Sequence, residues 1–339
     1  METPEHGVTL KDVAAAAGVS ISTASRALDD RGASVKSDTA DRVRQLAEKL
    51  GYRRNAFASS LRRGETRTLG VLVPRLSDTV MAMTFEALDR AAADRGYFAI
   101  VATSGDDPVD ERRAAETLLD RNVDGLILAT ARLDDQLPRS LRERGIAHSL
   151  VLRTDGISPS ALGDDELGGY LAVRHLLDLG HSAIAVVTGP NFTSSANSRL
   201  EGARRALDEA GVDLPASWSI AAGYGLRQGF EAGEQLFDPS ADRVPTAVFA
   251  ANDNIALGLM AVAARRGLQI GSDLALVGYN DIPLASMLPT PLSSVHVPFD
   301  DIARTAVDLV LKPPSGGPRR AALPTLIPRA SSGQALHPA

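Results

Sequence analysis

The run Thr9 to Leu28 reads TLKDVAAAAGVSISTASRAL, and its spacing predicts two short helices joined by a tight turn. Thr9 places a hydroxyl ahead of a helix and Asp12 a carboxylate three residues on, a capping box with Asp in place of the usual Glu or Gln. The helix runs through Val13 and four alanines and stops at Gly18, the residue type that accepts the left-handed backbone past a helix end. Ser20 then caps a second helix over Ile21 to Leu28. Such a pair is a helix-turn-helix, whose second helix can enter a DNA major groove. Further along, Asp38 to Leu50 predicts a third helix, with Val43, Leu46, Ala47 and Leu50 on one face closing a small core. Helical hairpins without any nucleic-acid role are also common, so pattern alone leaves both readings open.

Charge is distributed unevenly along the 339 residues. The chain carries a net charge of −6. Residues 1–64 hold eleven basic against eight acidic side chains, a net +3, which leaves −9 for the rest. From Ser20 to Gly64 ten basic residues face five acidic ones. A positive module on an acidic body suits an anionic partner held at one end, most simply nucleic acid, although a solvated charged face would look the same.

The residues themselves narrow the choice. TLKDVAAAAGVSISTASRAL resembles the DNA-binding headpiece of the LacI/GalR (lactose-repressor) family, and RVRQLAEKLGYRRNAFASSLRRG resembles its third helix and hinge. Further similar strings follow in order: LGVLVP at 69–74, NVDGLIL at 122–128, HLLDLGHSAIAVVTGP at 175–190, RLEGARRAL at 199–207, AVFAANDNIALG at 247–258 and LALVGYND at 274–281. The resemblance implies a sequence-specific DNA-binding regulator, a repressor, that responds to a small-molecule effector. Its base-reading positions fall on Ile21, Ser22 and Arg26. Arg26 can reach guanine O6 and N7, Ser22 more than one base, and Ile21 a thymine methyl. Thr23 and Ser25 suit phosphates. Asn55 to Leu61 matches the segment that becomes a minor-groove helix on operator DNA, with Asn55 and Ser59 among its DNA-contacting positions and Leu61 as the wedging leucine. Arg54 stands where a proline is common in the family, and by composition alone the segment could be a flexible linker.

After Thr68 short apolar runs at 69–73, 97–101, 126–129, 184–187, 247–250 and 274–277 alternate with amphipathic stretches, which predicts parallel sheets with helices on both faces. The resemblance implies an α/β body of two lobes like the periplasmic sugar-binding proteins, each lobe a doubly wound parallel sheet, attached to the all-α headpiece. The headpiece is expected over 1–53, a hinge and linker over 54–67, and the body over 68–339. Crossings between lobes near 163, 292 and 323 put 68–163 and 292–323 in the first lobe, 164–291 and 324–332 in the second.

Open sheets bind ligands at the carboxyl ends of their strands, so an effector belongs between the lobes. By family position Asp78 and Met81 on the first lobe and Arg199, Tyr224, Asn252 and Asn280 on the second are its candidates. Arg199 offers a planar fork of donors, the asparagines both donate and accept, and Tyr224 can cover an apolar sugar face; a structural hydrogen bond or a packing role would account for each of these residues singly. Asp253 and Asp281 read as loop structure. Three positions depart from the family: Asn280 where Asp is frequent, Leu152 where Asp precedes Arg153, and His296-Val297-Pro298 where Arg-Gln-Pro is common. They imply a pocket less charged than in many sugar-responsive members.

Enzyme chemistry finds little support. Gly223, Gly225 and Gly229 miss the dinucleotide spacing by one residue and read instead as a turn into a helix near Gly229. No phosphate-binding loop and no zinc motif occurs, the six histidines are scattered, and His181 suits a local structural contact. The absence of cysteine excludes disulfides, thiolate metal sites and cysteine nucleophiles. No cofactor or metal is expected. Met1 to Gly7 has neither the basic flank nor the apolar core of a secretory signal, so a cytoplasmic location is expected. The competing reading is a sugar-binding or sugar-metabolising protein of the same fold without DNA activity. The main reading implies a homodimer on a roughly palindromic operator, and a tail from Ala330 without a leucine heptad argues against a tetramer.

Overall fold

The computed structural model describes residues 8–28, 38–52, 65–240, 243–312 and 319–333. The chain divides into two compact units, Met1–Thr66 and Arg67–Ala339.

The first unit is all-α: α1 (Leu10–Ala17), α2 (Ile21–Ala27) and α3 (Asp38–Lys49). The N–H and hydroxyl of Thr9 both donate to Asp12 Oδ2, at 2.8 and 2.7 Å, which fixes the start of α1. At its end Gly18 takes a left-handed backbone, φ 62°, and the N–H groups of Gly18 and Val19 return to the carbonyls of Ala15 and Ala14. The core is small because most of its members are. Val13 and Val43 are fully buried among Ala17, Ala24, Ala40 and Ala47, and the alanines let the helices approach closely. Arg42 reaches across to donate to the Ala17 carbonyl at 3.0 Å, satisfying a free acceptor at the end of α1. Leu50 departs from the expected face and is exposed, because the helix ends at Lys49 and Gly51 turns the chain with φ 68°; Tyr52 packs on the cluster instead.

The second unit is α/β. Its first lobe contains β1 (Thr68–Val73), α4 (Thr79–Ala93), β2 (Phe98–Thr103), α5 (Pro108–Leu119), β3 (Gly125–Leu128), α6 (Gln136–Glu143), β4 (His148–Val151) and β5 (Ser160–Gly163). The chain then builds α7 (Asp165–Asp178), β6 (Ile184–Thr188), α8 (Ser194–Glu209), β7 (Ser219–Ala221), α9 (Leu226–Leu236), β8 (Ala247–Ala250), α10 (Asp253–Arg265), β9 (Ala275–Asn280) and β10 (Ser293–His296). It closes with α11 (Phe299–Leu311), β11 (Arg319–Ala322) and β12 (Thr325–Ile327). One six-stranded sheet has the order β11-β5-β4-β3-β1-β2 and is parallel throughout. The other has the order β12-β10-β9-β8-β6-β7 and is parallel except for β12, which runs antiparallel to β10 at the edge.

The strand membership moves one expected boundary. β10 pairs with β9 and belongs to the second sheet, while α11 packs on strands of the first. The second crossing therefore follows His296 and does not fall near 292, and 293–296 belong to the second lobe. The sequence SSVH of β10 carries no apolar run, yet Ser293 and Ser294 are fully buried. Their hydroxyls make that possible: Ser293 Oγ donates to the Arg329 carbonyl at 2.9 Å and Ser294 Oγ to Asp253 at 2.6 Å. The first crossing is pinned where Asp164 N–H donates to the Ala322 carbonyl at 2.9 Å, beside the third crossing between β11 and β12. Arg67, expected in the linker, already belongs to the body, its N–H held by Asp124 Oδ2 at 2.7 Å.

Candidate functional site

In the first unit Ser20 Oγ accepts from Thr23 N–H at 3.1 Å and lies 2.8 Å from the hydroxyls of both Ser22 and Thr23. This cap starts α2 with Ile21 at its first position. Ala24 and Ala27 face the core, so Ile21, Ser22 and Arg26 are left on the exposed side, with Thr23 and Ser25 half-buried beside them. Ile21 is 48% exposed although it is apolar. Arg26 Nε donates to the Ser22 carbonyl at 3.4 Å, which draws its guanidinium along the helix toward Ser22. Asn55, Ser59 and Leu61 lie outside the described residues.

In the second unit a cleft of about 350 Å³ lies at the carboxyl ends of the strands of both sheets. The turns after β1 and β4 bring Asp78, Val80, Met81, Leu152 and Arg153; the segments after β6, β7, β8 and the end of β9 bring Ser195, Arg199, Tyr224, Asn252 and Asn280. Asp78, Met81, Arg199, Tyr224, Asn252 and Asn280, which the sequence singles out, thus share one cleft. Leu152 and Arg153, whose departure from the family pattern bears on the pocket's charge, lie there too, and Val80 and Ser195 join them without having been expected. Ser195 could have been found from its place one helical turn before Arg199.

Each lining group is positioned by its own local chemistry. Asp78 caps α4, its Oδ1 accepting from Val80 N–H at 3.0 Å, and burial pushes its pKa up. Asn252 caps α10: Oδ1 accepts from Ile255 N–H at 2.8 Å while Nδ2 donates to the Tyr224 carbonyl at 3.0 Å. The Tyr224 hydroxyl is 3.0 Å from those of Thr193 and Ser195. Arg199 is held from behind by a residue that sequence reasoning missed. Its Nε donates to Asp165 Oδ1 at 2.8 Å, Nη1 to the Ala251 carbonyl at 2.5 Å, and its guanidinium lies 3.7 Å from the centre of the Tyr279 ring. Burial works against that charge and the Asp165 carboxylate more than offsets it, so the pKa is raised and Arg199 stays protonated. The approach of α7 to α8 that permits the pair depends on Gly169 and Gly202, where a Cβ would collide with the backbone of Arg199 and of Glu166.

The lobes touch across the cleft. Asn254 Nδ2 donates to Asp78 Oδ1 at 3.1 Å, Thr154 N–H to Ser194 Oγ at 2.9 Å, and Leu133 N–H to the Phe192 carbonyl at 3.1 Å. Arg132 lies 3.6 Å over the Phe192 ring. Asp253 and Asp281 fix the loop after β9. Asp253 accepts from Ile282 N–H at 2.8 Å, burial pushes its pKa up to about 7, and Asp281 pairs with Arg329 at 2.7 Å. Gly229, expected to precede a helix, lies inside α9, which starts at Leu226; a Cβ there would meet the backbone of Ile255, so its role is close packing of α9 on α10. Among the described residues no group of three or more His, Asp or Glu side chains is placed to hold a metal, and no helix is long and apolar enough to cross a membrane.

Comparison with known proteins brings both units together. Residues 9–55 match the model of bacterial regulatory proteins of the lacI family, and residues 173–332 that of a periplasmic binding protein-like domain. The ribose operon repressor of Escherichia coli (strain K12) is 33% identical over 307 residues, 89% of this chain and 92% of that protein. The solved lac repressor dimer bound to operator and the anti-inducer ONPF superposes with a TM-score of 0.85 at 26% identity, over 97% of this chain and 100% of that one. A transcriptional regulator CelR in complex with cellobiose gives a TM-score of 0.71 at 28% identity, over 96% and 99%. With a helix-turn-helix headpiece, a two-lobed body and relatives matched from end to end, the chain belongs to the lacI family of bacterial regulatory proteins and is a DNA-binding regulator of transcription.

Proposed function

We propose that the chain is a repressor that binds a roughly palindromic operator as a homodimer and whose hold on DNA is set by a small, sugar-like molecule seated between its lobes. The observation that carries this reading is the cleft: ten residues from both lobes converge on it, and Asp78–Asn254 and Thr154–Ser194 tie its two sides together. A ligand that binds one separation of the lobes better than another shifts the balance between them by its differential affinity. The E. coli relative is named for repression of a ribose operon, CelR was solved with cellobiose, and the lac repressor was solved as a dimer on its operator.

On DNA, Arg26 reads a guanine, Ser22 and Ile21 contact neighbouring base edges, and Thr23 and Ser25 hold phosphates. Asn55 to Leu61 forms the hinge that wedges Leu61 into the minor groove. Such a protein works beside the chromosome, in the cytoplasm, and has no catalytic task. Its cleft suits binding, since Arg199 is engaged by Asp165 and Asp78 by a helix cap and Asn254.

The test is to select bound fragments of the organism's genomic DNA with the full chain, then to measure operator affinity by fluorescence anisotropy across a panel of sugars and central metabolites. A defined operator with an affinity that some metabolite changes supports the proposal. Enrichment of no sequence, or an operator affinity indifferent to every metabolite, contradicts it.

A further inference from the structure

The charges that line the cleft are unevenly matched. Other arginines withdrawn from solvent in the body meet a carboxylate, among them Arg199 with Asp165 at 2.8 Å, Arg329 with Asp281 at 2.7 Å, Arg95 with Asp308 at 2.7 Å, Arg142 with Asp155 at 2.7 Å and Arg266 with Glu234 at 2.8 Å. Arg153 does not. It is 6% exposed and lines the cleft. Among the described residues no carboxylate lies within ion-pair distance of its guanidinium and no oxygen accepts a hydrogen bond from it; its contact is the Tyr224 ring, 5.3 Å from the centre. Arginine is rarely buried without a partner, because removing its charge from water is costly.

The backbone before it is also held in an unusual state. Leu152, just after β4, takes φ +62°, a left-handed conformation that is strained for a residue with a side chain. The turn is locked on both sides, by Leu152 N–H donating to Ala161 at 2.9 Å and by Thr154 N–H donating to Ser194 of the other lobe. Strain of this kind persists where the surroundings over-determine it and clusters at ligand sites.

The acids nearby feel the Arg153 charge at longer range, but their hydrogen bonds go elsewhere. Asp78 Oδ1 serves Val80 N–H and Asn254, and burial pushes its pKa up. Glu111 accepts from the Thr130 hydroxyl, and burial pushes it up to about 7. A second group faces the cleft unengaged: Asn280 is 4% exposed, sits at φ +95°, and its amide pairs with no group among the described residues.

We infer that the molecule bound in this cleft is an acid, a small polyol whose carboxylate or phosphate lies on Arg153 and whose hydroxyls meet Asn280, Ser195 and Asp78. A planar guanidinium matches either oxyanion with two parallel hydrogen bonds. The polar groups of the cleft are spread over both lobes, so one small ligand can meet Arg153 and Asp78 from one side and Ser195 and Asn280 from the other. Val80, Met81 and Leu152 supply apolar wall for the carbon skeleton. This rests on the reading of the cleft as the effector site and narrows its ligand from sugars in general to anionic ones.

The test uses the full chain and matched probes: D-glucose, D-gluconate, D-glucuronate and D-glucose 6-phosphate, with D-ribose, D-ribonate and D-ribose 5-phosphate as the shorter series. Thermal shift and titration calorimetry are run on wild type, Arg153→Lys and Arg153→Gln. An acid or phosphate should bind at least about tenfold more tightly than its neutral counterpart, Arg153→Gln should lose roughly ten- to hundredfold of that affinity, and Arg153→Lys should keep part of it. Comparing the carboxylate and phosphate arms names the source of the charge. Arg153→Gln should leave the melting temperature of the unliganded protein unchanged or raised, which a merely structural arginine would not do. Neutral members binding as well as charged ones, or an anion preference that survives Arg153→Gln, overturns the inference and leaves the cleft reading intact. Failure of every member, neutral and charged, overturns the sugar-like reading and the inference with it.

Discussion

Arg199 and Asp165 form an ion pair at 2.8 Å with neither side chain more than a tenth exposed. Two charges so placed depend on each other. Truncation of one leaves the other buried and uncompensated, a loss of about 3–5 kcal/mol. Arg199→Ala should therefore lower the urea midpoint of the body substantially, besides altering the cleft it lines. Removing both charges, as Arg199→Met with Asp165→Leu, should cost less than the two single losses added together. Strict additivity would show that the pair is not coupled.

The Asp78–Asn254 bond spans the cleft, and the two ends carry different loads. Asn254→Ala removes the bond between lobes, about 0.5–1.5 kcal/mol. Asp78→Ala removes it together with the cap of α4, a further loss of about 1 kcal/mol. Both should widen the unliganded body, read as a larger radius of gyration by small-angle scattering, and only Asp78→Ala should show the second loss in denaturant. Unchanged scattering in both variants would mean that other contacts hold the lobes.

Arg26 lies on the exposed side of α2 and is free of the headpiece core. Arg26→Ala should weaken binding to the selected operator by about 1–3 kcal/mol, with a much smaller loss on random DNA. Fluorescence anisotropy on both duplexes distinguishes a base reader from a phosphate contact, since equal losses would assign it to the backbone.

How much of this is legible in the sequence depends on which residue does the work. The headpiece is nearly all legible, because Thr9, Asp12, Gly18 and Ser20 act within a few residues of themselves. Strands built from apolar runs, such as β1 and β8, are legible for the same reason. β4 and β10 are not: HSLV and SSVH bury serines whose hydroxyls are satisfied by distant groups, Ser149 by the Ala306 carbonyl at 2.9 Å among them. No apolar run marks β10, and the crossing expected near 292 falls short of it. The cleft residues follow from family position, whereas Asp165, 34 residues before its partner, and the unmatched charge of Arg153 emerge only when the fold brings the surroundings of each arginine together.

Glu111 gives a signed pH prediction. Its pKa rises from 4.5 to about 7 in the folded protein, through burial and then the nearby charge of Asp135. Between these values the folded chain holds a proton that the unfolded chain releases. Its contribution to stability is therefore greatest at low pH and is lost as pH rises toward 7, at on the order of 1 kcal/mol per pH unit. Asp253 acts in the same direction, while His148, His175 and His181, whose pKa values are lowered by burial, act in the other. Only the difference between two proteins isolates Glu111. Glu111→Gln keeps an acceptor for Thr130, so its stability relative to wild type should climb from about pH 5 to 7 and then level off. Parallel stability curves across that range would refute the assignment.

The body's chain passes from one lobe to the other between β5 and α7, between β10 and α11, and again between β11 and β12. Neither lobe is a continuous stretch of the gene. A single recombination junction between codons 52 and 65 transfers the whole helix-turn-helix headpiece, whereas exchange of one lobe requires three junctions that all respect the same strand pairings. DNA specificity is thus inherited as a detachable unit, and the two halves of the ligand cleft are inherited together.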